Sequence, residues 1–157
     1  MDRAADNHYP TMTLQDICAL HPPAAANAVL FLWATAPMLP QALEVMAAWG
    51  FTYRSCCIWS KDRSGTGYWF RNRHEQLLVG ARGKVPAPAP GTQYPSVVLA
   101  PTAGHSVKPA CFAEMIEAMF PSAARLEMFA RRQRPGWDVW GNECAVAEPD
   151  WLKDWLS

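Results

Sequence analysis

The sequence predicts an α/β layered domain with a mostly parallel sheet, and three observations carry that expectation. Apolar segments of strand length alternate along the chain with segments of helical periodicity. Ala28-Val-Leu-Phe-Leu-Trp-Ala34 is a continuous apolar run, as expected of a strand covered on both faces at the centre of a parallel sheet. Residues 37–49 and the stretch that begins at Lys108-Pro109 repeat apolar side chains at helical spacing.

Taken in order, Thr13-Leu-Gln-Asp-Ile-Cys-Ala-Leu20 reads as a short helix. Thr13 is its N-cap, Asp16 lies in its first turn, and His21-Pro22-Pro23 stops it. After the apolar strand, residues 37–49 form a helix whose stripe is Leu39, Ala42, Leu43, Met46 and Ala47, ended by Gly50. Residues 51–59 return as a strand, residues 60–72 are a polar, glycine-rich loop, and residues 75–81 are another strand. The proline-rich stretch 83–95 is a surface loop of polyproline character, followed by a short strand over 96–100. Pro109 suits the first turn of a helix, where its missing N–H costs nothing, and Phe112, Met115, Ile116 and Met119 make the buried stripe. Residues 125–130 and 137–140 are strands, and residues 150–156 a terminal helix.

The 157 residues are 50% hydrophobic and 18% charged, which excludes an intrinsically disordered chain and gives one domain over residues 1–157. Fourteen basic and fourteen acidic residues give zero net charge, against a protein that coats nucleic acid through bulk electrostatics but not against a local basic patch. The longest apolar run is too short to span a membrane, and the charged start is not a secretory signal. Five cysteines include no Cys-x-x-Cys pair, so reduced thiols are expected in place of disulfides or a metal site, with Cys56 and Cys57 on opposite faces of their strand.

In open α/β sheets ligands bind off the carboxyl ends of the strands. The segments that follow strands here carry no Gly-x-Gly-x-x-Gly, Walker loop, Gly-x-Ser-x-Gly or His-Glu-x-x-His motif. They do carry an ordered series: Tyr9-Pro-Thr-Met12, Leu30-Phe-Leu-Trp33, Ile58-Trp-Ser-Lys61, Gly65-Thr-Gly-Tyr-Trp69, Glu75-Gln-Leu-Leu-Val-Gly80, His105-Ser-Val-Lys-Pro109, Leu126-Glu-Met-Phe-Ala-Arg131 and Trp137-Asp-Val-Trp-Gly-Asn-Glu143. Over about residues 3–143 this series resembles the MT-A family of S-adenosylmethionine-dependent N(6)-adenine methyltransferases, leaving residues 144–157 as a C-terminal extension. Short loops and the Gly141-Asn-Glu143 ending resemble the bacterial and phage members, which act on DNA, more than the mRNA enzyme.

The resemblance implies a Rossmann-like methyltransferase sandwich with a mostly parallel sheet, S-adenosylmethionine as cofactor and no metal. It implies nucleic acid as partner, DNA before RNA, and action in the cytoplasm of a bacterial or phage-infected cell. Lys108, Phe129, Arg131, Gln133, Asn142 and Glu143 match cofactor-site positions. Tyr9, Trp59, Lys61, Glu75 and Ser106 match substrate-site positions. Several have a plainer reading beside them: Lys108 as a solvated lysine at a helix start, Asn142 as a turn residue, Phe129 as a core aromatic, Glu75 as a strand-start carboxylate paired with Arg73. Trp33, Trp49 and Trp140 read as core. Arg132 and Arg134 read as a solvated or phosphate-facing cluster, and Arg71, Arg73, His74, Arg82 and Lys84 as a basic cluster.

The family's catalytic Asp-Pro-Pro-Trp does not occur in these residues, so no catalytic residue is assigned. The matching domain is expected to lack that N-terminal motif strand, with one sheet edge open or covered in a homo- or hetero-oligomer, and to be weak or inactive alone. A non-catalytic partner subunit that binds nucleic acid or cofactor, and an RNA-directed enzyme, are the alternatives.

Overall fold

A seven-residue strand divides the apolar interior in two. In the computed structural model, which describes residues 12–104 and 107–141, this is β1 (Ala28–Ala34). Ala28, Leu30, Leu32 and Ala34 face a cluster built on Val45, Met46, Trp49 and Leu78. Phe31 and Trp33 face a second cluster built on Trp59, Leu77, Phe112 and Met115. Period-two side-chain alternation therefore serves two cores from one strand, which is why its sequence is apolar at every position.

The remaining elements are α1 (Leu14–Ala19), α2 (Leu39–Ala48, entered through a 3-10 turn at Ala36–Met38), β2 (Thr52–Ser60), β3 (His74–Arg82), β4 (Val97–Leu99), α3 (Ala110–Met119), β5 (Leu126–Met128) and β6 (Asp138–Trp140). Thr13 caps α1, its side chain accepting from the Asp16 N–H at 3.1 Å. The indole N–H of Trp49 donates to the Ile17 carbonyl at 2.8 Å and ties α2 to α1. Gly50 takes φ of 82°, which ends α2. The buried face of α2 is Ala42, Val45 and Met46, continued by Trp49, whereas Leu43 is exposed. The stripe expected through Leu43 is thus rotated by part of a turn, because Val45 and Trp49 outbid it for the core.

The four-stranded sheet has the order β1-β3-β2-β4. β3 runs antiparallel to both β1 and β2, while β2 and β4 pair in parallel. The sheet is mixed, not mostly parallel. The reason lies in residues 61–73, which carry no helix; a parallel return needs a crossover, usually helical, and this loop returns as a hairpin. β1, β2 and β4 nevertheless point the same way, so their carboxyl ends lie along one side of the sheet. β1 is an edge strand and not the central one: covering both faces with helices makes a strand apolar whether or not both its edges are paired. Among the described residues its outer edge carries no strand.

β5 and β6 pair in parallel as a separate two-stranded sheet. Cys56 packs into the α2-side core and Cys57 into the α3-side core, on opposite faces as the strand period requires. The helix expected over 150–156 lies outside the described residues. Among the described residues, no helix is long and apolar enough to cross a membrane.

Candidate functional site

The carboxyl end of β2 places Trp59 and Lys61 on the α3 side of the sheet, two residues apart and therefore on one face. Across the ladder Trp59 lies opposite Glu75 of β3, and Cys57 opposite Leu77. Trp59 is 2% exposed, and its indole N–H donates to the Ala100 carbonyl at 2.8 Å, beyond the end of β4. Trp33 meets it edge-on at 6.0 Å between ring centroids and meets Phe112 of α3 at 4.9 Å. These rings form an apolar floor at the ends of β1, β2 and β4.

On that floor sits a buried carboxylate, Glu75, 6% exposed. Its Oε1 accepts from Lys108 Nζ at 2.6 Å, and its Oε2 lies 2.8 Å from Lys61 Nζ. Both ammonium groups also stand over indole rings, Lys61 4.8 Å from the Trp59 centroid and Lys108 5.2 Å from that of Trp33. Burial alone pushes the Glu75 carboxyl up, but the hydrogen bonds and charges of Lys108 and Lys61 outweigh it and hold the group below its ordinary range. The carboxylate is therefore ionised, and both of its oxygens are engaged. Arg73 is not its partner: its Nε donates to the Lys61 carbonyl at 2.8 Å, closing the base of the β2–β3 loop.

Beside this array, Asp62 Oδ1 accepts from both the N–H and the hydroxyl of Thr102, each at 2.9 Å. Those bonds hold the exposed Asp62 carboxyl below its ordinary range. This tie joins the ends of β2 and β4. Sequence reading missed it, because the two residues are 40 positions apart and meet only once β2 and β4 pair.

A second group of expected site residues lies on the turn after β5. Phe129 has φ of 58°, the only non-glycine positive φ among the described residues, and its ring meets Trp140 edge-on at 5.0 Å. The Ala130 N–H donates to the Trp140 carbonyl at 2.9 Å. Gly141 packs so closely on the Ala130 backbone that a Cβ there would collide with it. Arg131 is half-buried and Gln133 exposed on this turn. Such an outlier in a non-glycine residue is maintained only where surrounding structure enforces it, and such strain clusters at functional sites.

The structure thus brings Trp59, Lys61, Glu75 and Lys108 together and sets Phe129, Arg131 and Gln133 on one turn. Tyr9, Ser106, Asn142 and Glu143 lie outside the described residues. Trp59 offers no free face to a base, since its ring is buried beneath the lysines. Trp33, read as core, packs against the Trp59 and Phe112 rings and also forms the half-buried wall under Lys108. Arg134 is not phosphate-facing: it forms a bidentate pair with Glu117 of α3, with Nη2 to Oε1 at 2.8 Å. The expected basic cluster also divides, because His74 and Arg82 stand at opposite ends of β3. Among the described residues no group of three or more His, Cys, Asp or Glu is placed to hold a metal ion.

A sheet covered on both faces, with an ion-paired array where three co-directed strands end, defines a mixed α/β domain whose strand ends form the candidate site. The chain belongs to the MT-A70 family, which its residues 1–143 match. It is 32% identical over 143 residues to the type II methyltransferase M.MunI of Mycoplasma sp, covering 89% of this chain and 61% of that relative. To the N(6)-adenosine-methyltransferase catalytic subunit METTL3 of Homo sapiens it is 30% identical over 146 residues, covering 86% of this chain and 25% of METTL3. The N(6)-adenosine-methyltransferase MT-A70-like protein of Arabidopsis thaliana is also 30% identical, over 147 residues and 21% of its length. The chain therefore spans about three fifths of the first of these relatives and a quarter or less of the others.

Proposed function

We propose that this chain serves S-adenosylmethionine-dependent transfer of a methyl group to the N6 amine of adenine in nucleic acid, DNA in preference to RNA. The observation that carries the reading is the Lys61–Glu75–Lys108 array on its tryptophan floor, in a chain of the MT-A70 family. The names of M.MunI and METTL3, a methyltransferase and an N(6)-adenosine-methyltransferase, agree with it. The preference for DNA and the place of action, a bacterial or phage-infected cytoplasm, rest on the resemblance to bacterial and phage members.

The described residues fit the cofactor. Lys108 gives one ammonium hydrogen to Glu75 and has two more for a carboxylate such as that of a methionine moiety. The strained turn at Phe129 lies where parallel β5 and β6 end, with Arg131 and Gln133 following it in the chain. When bound, S-adenosylmethionine supplies an electrophilic methyl group on a sulfonium centre. Glu75 fixes both lysines in place, and the tryptophan floor keeps water from beneath them.

The acceptor side is different. The adenine amine is a poor nucleophile because its lone pair is delocalised into the ring. Activation needs an oriented acceptor that strengthens its hydrogen bond as the nitrogen rehybridises. Glu75 has both oxygens on ammonium groups, and the Oδ1 of Asp62 is held by Thr102. Both carboxylates are thus tied to partners that fix the sheet ends, and the two ammonium groups on Glu75 weaken it as a proton acceptor. On the resemblance to the family we assign the role to an Asp-Pro-Pro-Trp segment, a motif that does not occur in the sequence. Among the described residues the outer edge of β1 carries no strand, and Met128 of β5 packs into the same core as Leu30 and Leu32, which brings the two sheets together without pairing them.

Glu75, ion-paired through both oxygens, also favours a second reading, a cofactor- or nucleic-acid-binding partner subunit without catalysis of its own. Tritiated methyl transfer to adenine-containing oligonucleotides separates the two. The chain alone should turn over slowly, since each lost oriented acceptor costs about 10²–10³ in rate, and a longer chain carrying Asp-Pro-Pro-Trp should restore turnover. Robust turnover by the chain alone would remove the need for that motif. An inactive longer chain that still binds oligonucleotide would establish the partner-subunit reading.

A further inference from the structure

The loop between β2 and β3 presents three consecutive aromatic side chains to water. Tyr68, Trp69 and Phe70 are 108%, 94% and 82% exposed. Singly exposed apolar residues are ordinary, but three adjacent aromatic rings on one loop tip are not.

The loop is held at its base. The Gly65 N–H donates to the Asn72 carbonyl at 2.7 Å and the Asn72 N–H to the Thr66 carbonyl at 3.1 Å. Below that, the Lys61 N–H donates to the Arg73 carbonyl at 2.9 Å, and the Arg73 side chain returns to the Lys61 carbonyl. Gly67 is backed by the Phe70 carbonyl so closely that any Cβ would collide with it. The tip thus folds against its own backbone, and the rings are left outside.

The surroundings select the ligand. Residues 62–73 contain Arg63, Arg71 and Arg73 but no Leu, Ile, Val or Met. Their one carboxylate, Asp62, is already hydrogen-bonded to Thr102. The core of a protein–protein interface is depleted of charge, whereas aromatic rings interleaved with arginines match the stacked bases and phosphates of a nucleic-acid strand. Both ends of the loop lead directly into the array, through Lys61 and through Glu75.

We propose that Tyr68, Trp69 and Phe70 form a stacking platform for unpaired bases of the strand that carries the target adenine, with the neighbouring arginines on its phosphates. The inference rests on the reading of the chain as a nucleic-acid methyltransferase and names where the strand is gripped beside the site. A base drawn out of a duplex leaves its neighbours unstacked, and aromatic side chains at the site's margin offer them replacement faces.

The test is fluorescence anisotropy of the full 157-residue chain with a labelled adenine-containing single strand and the corresponding duplex. Trp69→Ala should weaken single-strand binding about tenfold, and the triple change of Tyr68, Trp69 and Phe70 to Ala by more, as expected for loss of base–aromatic stacking. Trp69→Phe should restore most of the affinity. Thermal melting checks that the variants fold; if the triple variant does not, Trp69→Ala and Trp69→Phe decide. Undiminished single-strand affinity in Trp69→Ala or the folded triple variant overturns the proposal, as does a wild type that binds no oligonucleotide. Sedimentation provides a further overturning outcome: a self-associating wild type whose association, and not its oligonucleotide affinity, is lost in the triple variant makes the loop a contact between chains. Calorimetry with S-adenosylmethionine keeps the two readings apart. Cofactor binding with loop-independent oligonucleotide affinity sinks the platform alone, whereas absent cofactor binding sinks the methyltransferase reading and leaves the anisotropy result to judge the loop.

Discussion

Glu75 and Lys108 stand 33 positions apart in the chain and 2.6 Å apart in space, which fastens the start of α3 to the middle of the sheet. Lys61 approaches the other carboxylate oxygen at 2.8 Å. One nearly buried anion thus sets the position of two half-exposed cations at the ends of β2 and of the segment leading into α3. That arrangement makes definite demands on stability.

The first concerns acid. Burial raises the Glu75 carboxyl, and the two lysines more than reverse it, so its folded value lies below its unfolded one. The unfolded chain then holds the proton more readily. The stabilisation is fully present above the ordinary glutamate value of about 4.3 and is lost as pH falls through the depressed folded value. The gap in melting temperature between wild type and Glu75→Gln should stay flat from neutrality down to about pH 5 and narrow on further acidification. A gap that keeps its full size at about pH 3 would show that Glu75 acts through packing and not charge.

A second prediction isolates the pair. Glu75→Gln leaves two neighbouring ammonium groups uncompensated and should cost about 2 kcal/mol, below the range for a fully buried pair because the lysines are 24% and 32% exposed. Lys108→Met, which keeps an apolar stem over Trp33, should cost less. In the double variant, urea denaturation should show a coupling of about 1–3 kcal/mol. Strict additivity would mean the contact contributes nothing beyond its separate partners.

Much of this fold was legible in the sequence because it is written locally. The Thr13 cap, the apolar run of β1, the glycine after α2 and the opposed faces of Cys56 and Cys57 each depend on neighbours within a few positions. Strand direction does not. The antiparallel return of β3 follows from a polar, glycine-rich loop with no helix to carry a crossover, and composition alone does not state the direction of the strand after it. The site divided in the same way. Residue types such as Lys61, Glu75 and Lys108 stood out through family resemblance, but their mutual pairing, Trp33 as the wall beneath Lys108, and the loss of Arg134 to Glu117 are relations between residues distant in the chain that periodicity does not encode.

Gly80 is a third position where a substitution reads the packing. A Cβ built there would stand 2.9 Å from Met46 Sδ and 3.1 Å from Phe51 Cβ. The thioether end of Met46 can swing aside, but Phe51 Cβ is fixed to the backbone at the start of β2. Gly80→Ala should therefore destabilise by about 1–3 kcal/mol, read as a lower urea midpoint at unchanged slope. A neutral result would show that α2 lifts from the sheet at little cost.

The strained turn after β5 gives the last prediction. Phe129 holds φ of 58°, a left-handed conformation that costs an ordinary side chain about 1–2 kcal/mol. Its edge-on contact with Trp140 returns about 0.5–1.5 kcal/mol. Asparagine tolerates this conformation far better than phenylalanine but has no ring. In Phe129→Asn the relieved strain and the lost ring contact should therefore nearly cancel, leaving stability within about 1 kcal/mol of wild type. If the turn is strained in order to present the ring to the cofactor, S-adenosylmethionine affinity should fall about tenfold in the same variant, a loss typical of one removed aromatic contact. Calorimetric titration beside a thermal melt reads both quantities. Unchanged cofactor affinity in a stable variant would assign the strain to the closure of β5 against β6, where Gly141 already crowds the Ala130 backbone, and would take Phe129 out of the cofactor site.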